Sequence, residues 1–331
     1  MCSRALGTDM KRRAFITALG AAAAWPLAAS GQTLARSVHV VLLSPVDPSG
    51  LAGLRKNLQD LGYVEGRNIR LDVRSAGGQI DRLPELAEAV VREGGIDAIL
   101  AQSFPAAIAA YRATQTIPIV AIVGIDPVAS GLAESLAHPG HNVTGIAIFA
   151  EETDIKLVEL LREIAPRAVR LAAVTAITGG GNLSLGAVQD TGRKLGFDVE
   201  IIKIADPADL ATALSPEVLS RFDAFMFPPD VVLSGHKAEV VKLIGLSNKP
   251  AVFPSSDWAE SGGLLSFGPD LAEVGRHMIL QLDRVLKGEK PRDLPFERPT
   301  KFALNINLHT ARAMGIELSP TLLVRAEKVI D

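Results

Sequence analysis

The sequence predicts an α/β protein made of two Rossmann-like halves, each on a parallel sheet, and three observations carry that expectation. First, apolar runs such as Val38 to Leu43 and Ile117 to Val123 are too short for typical helices and rich in β-branched residues, so they read as strands buried on both faces. Second, longer stretches with apolar residues at helical spacing lie between such runs, and the alternation restarts at Arg170 to Thr175, which argues for a second half. Third, hydrophobic residues make up 48% of the chain but aromatic ones only 5%, a core of Ala, Val, Leu and Ile suited to sheets covered by helices. At 331 residues there is room for roughly two domains.

Taken in order, the chain begins with the pattern of an export signal over residues 1–31. Lys11-Arg12-Arg13 is followed by the apolar stretch Ala14 to Leu27 and the small residues Ala28 to Gly31 that a signal peptidase accepts. Arg12-Arg13-Ala14-Phe15-Ile16 resembles a twin-arginine signal, and Met10 is a plausible true start. The apolar stretch is well under the roughly 20 residues needed to span a bilayer. Cys2, the one cysteine, precedes it, so the processed chain is expected to have neither disulfides nor thiolate chemistry.

Val38 to Leu43 is then the first strand, and Ser44 to Pro48 its polar, proline-punctuated loop. Leu51, Leu54, Leu58 and Leu61 make one stripe of a helix that Gly62 ends. Ile69 to Val73 is a strand, Asp81 to Leu86 opens a helix, and Ile96 to Ala101 is a third strand ending in Gln102-Ser103, with Pro105 starting the next helix. After the strand Ile117 to Val123, Gly124 and Asp126-Pro127 break the chain, and a helix is expected from Pro127 to His138, stopped by Pro139-Gly140. Val143 to Ile146 offers a passage to the second sheet. Right-handed crossovers keep the strands parallel, so their loops gather along one edge, where open α/β sheets bind ligands.

Glu152 to Ile164 is an amphipathic helix, and Arg170 to Thr175 opens the second half. Its loops are Thr178 to Ser184, Pro228-Pro229-Asp230 and Ser255-Ser256-Asp257. Gly262 to Phe267 and the helix Leu271 to Lys287 are expected to return to the first half. Lys301 to Ile306 is a strand and Leu308 to Met314 a helix.

The wording of several segments is specific. IPIVAIVGIDPVASGLAESLAHPGHNVTG from Ile117 to Gly145, LGYVEGRNIR after the first helix, and the ending VLKGEKPRDLPFERPTKFALNINLHTARAMG resemble the tryptophan/tyrosine-type family of ABC transporter solute-binding proteins. The resemblance spans Val38 to Asp331. Ile125 stands where that family usually has Gly, and His141 where it has a second Gly. It implies a type I periplasmic binding fold: lobe 1 over 38–147 plus 258–290, lobe 2 over 148–257 plus 296–331, with crossings at Gly145 to Glu151, Phe253 to Trp258 and Pro291 to Pro299. It further implies an exported periplasmic protein that captures a small molecule, an amino acid or other small organic acid, and delivers it to an ABC permease.

Candidate ligand residues are the polar groups at the strand ends. In the first half these are Ser44, Asp47, Gln102, Ser103, Gly124 and Asp126. In the second they are Thr178, Asn182, Pro228, Asp230, Ser255 and Asp257. A ligand ammonium needs one of the carboxylates, Asp126 foremost, while a ligand carboxylate would meet helix amino ends and the hydroxyls of Ser44, Ser103 or Ser255. Phe104, Phe227, Phe253 and Trp258 adjoin these loops and are placed either to stack on an aromatic ligand or to pack the core.

Other chemistries lack their signatures. Gly179-Gly180-Gly181-Asn182 has neither the lysine and serine of a P-loop nor dinucleotide-loop spacing, and no Gly-x-Ser-x-Gly elbow occurs. The six histidines show no metal spacing. A net charge of -3 gives no basic footprint for nucleic acid. No cofactor, metal or catalytic residue is expected, and the protein is expected to be a monomer; a ligand sensor for a membrane receptor and a periplasmic α/β enzyme are the alternative readings.

Overall fold

In the computed structural model, the first strands show how an unbroken apolar run serves two faces. The structure describes residues 37–48, 50–177 and 184–331, so the export signal, Thr178, Asn182 and the glycine loop between them lie outside the described residues. In β1 (Val38–Ser44), Val40 and Leu42 point to one side and Val41 and Leu43 to the other, all fully or nearly fully buried. With β2 (Ile69–Ser75), β3 (Ala98–Ala101), β4 (Ile119–Val123) and β5 (Val143–Ala147) it forms a five-stranded parallel sheet in the order β2-β1-β3-β4-β5.

One face of this sheet packs against the helices Leu51–Asp60 and Leu271–Leu286, through Leu54, Leu58, Val274, Met278, Ile279 and Leu282. Leu58, with 2% of its surface exposed, contributes about 2 kcal/mol by burial. The other face packs against the helices Leu83–Glu93 and Phe104–Ala113, whose Ala106, Ala107, Ala109 and Ala110 allow close approach.

The second sheet has seven strands: β6 (Arg170–Ala176), β7 (Asp198–Ile204), β8 (Ala224–Met226), β9 (Ala251–Phe253), β10 (Leu265–Pro269), β11 (Phe302–Asn307) and β12 (Lys328–Ile330), in the order β12-β11-β10-β9-β8-β6-β7. Neighbours are parallel except for the antiparallel pair β10 and β11. The scarce aromatics concentrate on one of its faces. Phe227, Phe253 and Trp258 stack with centroids 4.9 to 5.9 Å apart, Phe222 and Phe225 beside them. The helix Ala150–Ile164 covers the opposite face with Leu157, Val158, Leu160 and Leu161.

Three expectations need correction. Residues 258–269 do not return to the first lobe: Trp258 belongs to the second lobe's core, and β10 pairs with β9 and β11. Gly268 permits this, because a β-carbon there would lie 1.9 Å from the Pro254 carbonyl oxygen. The return begins with the helix Leu271–Leu286, and the segment after it stays in the first lobe through the buried Leu294 and Phe296, the latter expected in lobe 2. The second crossing is therefore at Pro269–Leu271, not Phe253 to Trp258, and it is set by Asp270, whose carboxylate accepts from the amides of Ala272 (2.9 Å) and Glu273 (3.2 Å).

Thirdly, residues 127–138 are not a helix. They form turns in which the amides of Leu132 and Ala133 both donate to the Pro127 carbonyl, Gly131 takes φ 77°, and Glu134 and Ser135 donate to Pro139 and His138 as the chain doubles back. Burying Leu132 and Ala133 in the first lobe's core outweighs continuing a helix through Ser130-Gly131.

The other two crossings meet at one place. After β5 the chain passes through Phe149 at φ 53° into the helix Ala150–Ile164, and the segment before β11 bridges Ile146 at Glu297. Gly145 makes room there: a β-carbon on it would lie 1.9 Å from the Ala121 carbonyl oxygen, and its own carbonyl accepts from the Glu297 amide at 2.8 Å.

Candidate functional site

All strands of the first sheet are parallel, so the chain ends of β1, β3 and β4 lie along one edge. That edge carries Ser44, Gln102-Ser103 and Gly124 to Asp126. Ser44 is buried and donates to the Val46 carbonyl (2.6 Å), which folds the loop over; Asp47 beyond it is exposed. Ser103 caps the helix Phe104–Ala113, its Oγ accepting from the Ala106 amide at 3.2 Å, while its hydroxyl proton stays available. Gln102 is half-buried. Asp126 Oδ1 accepts from the Val128 amide (2.8 Å) in an Asx turn rather than a helix cap, leaving Oδ2 for another donor.

The second lobe presents the ends of β6, β8 and β9. Here the carboxylates are already occupied. Asp230, 3% exposed, accepts from Thr175 Oγ1 (2.8 Å) and the Ala176 amide (2.8 Å) with Oδ2, and from the amides of Val232 (2.9 Å) and Leu233 (3.0 Å) with Oδ1. Burial pushes its carboxyl up, and the donors hold it back. It builds the loop beside the buried Pro228 rather than offering a free charge. Asp257 is likewise engaged: Oδ1 accepts from Ser255 Oγ (2.6 Å) and Oδ2 from Lys237 Nζ. Phe227, Phe253 and Trp258 are closed in the core, so stacking on a ligand is not open to them here; Phe104 is half-buried.

Sequence reading missed three groups in the second lobe and the crossings. Lys237 lies at the start of the helix Lys237–Leu246. Arg298, in the third crossing, places its guanidinium 4.4 Å over the Phe149 ring and donates to Glu152 Oε2 at 2.6 Å, clamping two crossings together. Asp154, in the second turn of the helix Ala150–Ile164, has no exposed surface; it accepts from Ser184 Oγ through Oδ2, and its Oδ1 is buried without a partner. Burial pushes its carboxyl up to about 7, with the Ser184 hydrogen bond pulling down and Glu151 adding to the rise. No periodicity marks such a residue, since helical spacing alone would assign its position to an apolar side chain.

The lobes touch across the gap between these edges. A β-carbon on Gly235 in the second lobe would lie 3.6 Å from Val46 Cγ1 of the first, and Ile80, in the loop after β2, packs against the cores of both lobes. The Ala150 amide donates to the Gly124 carbonyl at 2.6 Å, tying the hinge to the loop that carries Asp126. Polar strand ends of both lobes, an apolar contact between the lobes and three crossings of the chain are thus brought into one region.

Comparison with known proteins agrees. The chain is 27% identical over 266 residues, covering 80% of itself and 76% of the relative, to a tyrosine-binding protein of Clostridioides difficile. A Streptococcus pneumoniae ABC domain solved in complex with L-Trp is 25% identical with a TM-score of 0.77, covering 89% of this chain and 100% of that one. A ligand-free, open substrate-binding protein of Clostridium difficile is also 25% identical, but superposes with a TM-score of 0.61 over 88% of this chain and 99% of that one. The family model for ABC transporter substrate binding protein matches residues 37–330, so the chain belongs to the ABC transporter substrate-binding proteins.

Proposed function

We propose that this protein is exported to the periplasm, where it captures an amino acid or a closely related small organic acid between its lobes and delivers it, as a monomer, to an ABC permease. What supports this is the parallel order of the strands, which puts Ser44, Gln102, Ser103, Gly124 and Asp126 after the ends of β1, β3 and β4 at one sheet edge, together with the contact of Gly235 in the second lobe with Val46 of the first. A tyrosine-binding relative and a neighbour solved with L-Trp support the ligand class. Asp126 Oδ2 is the acceptor for the ligand's ammonium, and Thr178 and Asn182, which follow β6 in the sequence, add polar groups from the second lobe. A ligand touching both lobes stabilises the closed form over the open one, and the closed form is what the permease receives.

The test is a thermal-shift screen of the processed chain against amino acids, aromatic acids, sugars and purines. A ligand selective for the folded state raises the melting temperature in a dose-dependent way. L-tyrosine or L-tryptophan should do so, and calorimetry should then give one site per chain. A response confined to sugars or purines refutes the ligand class.

A further inference from the structure

The second lobe's contribution to specificity starts from an accounting of charge. Asp230 and Asp257 have every carboxylate oxygen engaged inside the lobe. The first lobe's wall carries Asp126 and Asp47, and no cation among the strand-end residues named above. A zwitterionic guest whose ammonium goes to Asp126 still brings a carboxylate, and a carboxylate in a closed cleft requires donors or a positive charge.

Lys237 meets that requirement. It follows the short helix Val231–Gly235 after His236 alone, and Gly235 is a point at which the second lobe meets Val46, so this corner faces the first lobe. Its side chain is 24% exposed and tethered at one hydrogen: Nζ donates to Asp257 Oδ2, and Asp257 is fixed in turn by Ser255. An ammonium has three hydrogens to donate, and among the described residues Asp257 is its acceptor. A cation already held in place by its neighbours loses little freedom when a ligand arrives, which favours its use in recognition. The same pair also ties the amino end of the helix Lys237–Leu246 to the helix Ser256–Glu260, and a purely structural tether is the competing account.

Resting on the amino-acid reading above, we propose that Lys237 is the second lobe's anchor for the ligand's carboxylate, with Asp257 and Ser255 as the residues that position it. Recognition is then divided between lobes: ammonium to the first, carboxylate to the second. A ligand lacking either group bridges the cleft poorly.

Calorimetry of wild type, Lys237→Met and Asp257→Asn with L-tyrosine, L-tryptophan, tyramine and tryptamine tests this, the two amines lacking only the carboxylate. Wild type should bind the amino acids at least about tenfold tighter than the amines, the scale of a charge-assisted hydrogen bond. Lys237→Met should erase that preference, weakening the amino acids about tenfold or more and the amines less than about twofold. Asp257→Asn, which keeps the lysine, should retain the preference. An equal loss for acids and amines in Lys237→Met marks a tether alone and overturns the proposal, as does an unchanged preference. Wild-type protein that binds none of the four refutes the amino-acid reading itself, and the carboxylate anchor with it.

Discussion

Replacing Asp154 by asparagine should leave the protein's stability little changed at pH 5 and make it more stable at pH 8. The side chain has no exposed surface, one oxygen takes the Ser184 hydroxyl and the other is buried without a donor. Its carboxyl is pushed from 3.8 to about 7 by burial. Between those values the folded protein keeps a proton that the unfolded chain has released, so stability falls as pH rises. The site's contribution is intact below the unfolded value and is lost progressively until the folded value is passed. A shift of about 3 units at about 1.4 kcal/mol each makes the full loss about 4 kcal/mol by pH 8.

Asparagine removes this dependence. It keeps an oxygen for Ser184 and puts an amide where Oδ1 stood, at a pH-independent cost of about 1 to 2 kcal/mol for an unmade hydrogen bond. The two stability curves should therefore cross near pH 5, where the aspartate's loss has reached about 1 to 2 kcal/mol. Urea denaturation of both proteins at pH 5, 6, 7 and 8, followed by circular dichroism, measures the difference, from which titrations common to both cancel. A difference that stays constant across the range would refute the argument that Asp154 is neutral in the fold.

Further predictions concern the two walls of the cleft. Asp126→Ala should reduce the ligand-induced thermal shift far more than Asp81→Ala, because Asp126 has a free carboxylate oxygen at a strand end while Asp81 lies in the short turn before the helix Leu83–Glu93; equal responses remove Asp126 from the site. Asp230→Ala should destabilise the second lobe by about 3 kcal/mol or more, since it strands four buried donors, and should lower the melting temperature even without ligand. An unchanged melting temperature there would mean that the loop after β8 is held by something else.

Much of the fold was legible because the relevant signals are local. Val38 to Leu43 and Ile119 to Val123 are strands for the reason their composition suggests, namely that both faces of a parallel strand are covered. Leu54 and Leu58 are buried where their spacing puts them. The stretch from Pro127 to His138 failed because helical spacing is cheap to satisfy, and the burial of Leu132 and Ala133 against the sheet decided the matter. The second crossing failed because a strand's composition does not name its partners: β10 is apolar enough for either sheet, and Gly268 pressing on Pro254 selects the second.

The candidate site divides along the same line. The position of Ser44, Gln102, Ser103, Gly124 and Asp126 at the sheet's edge was legible because a polar residue after a buried strand must lie there. The use each side chain makes of its atoms was invisible there. Asp126, Asp230 and Asp257 are one residue type at equivalent strand ends, yet Asp126 keeps an oxygen free, Asp230 is spent on its own loop and Asp257 on Lys237. From the order of its residues alone this protein is two-lobed, α/β and a member of its family, because the periods of strands and helices are written within a few residues of one another. Which sheet claims β10, which carboxylates stay free and which lysine pairs with Asp257 were decided only by tertiary structure, because burial and hydrogen-bond partners come from segments far apart in the chain.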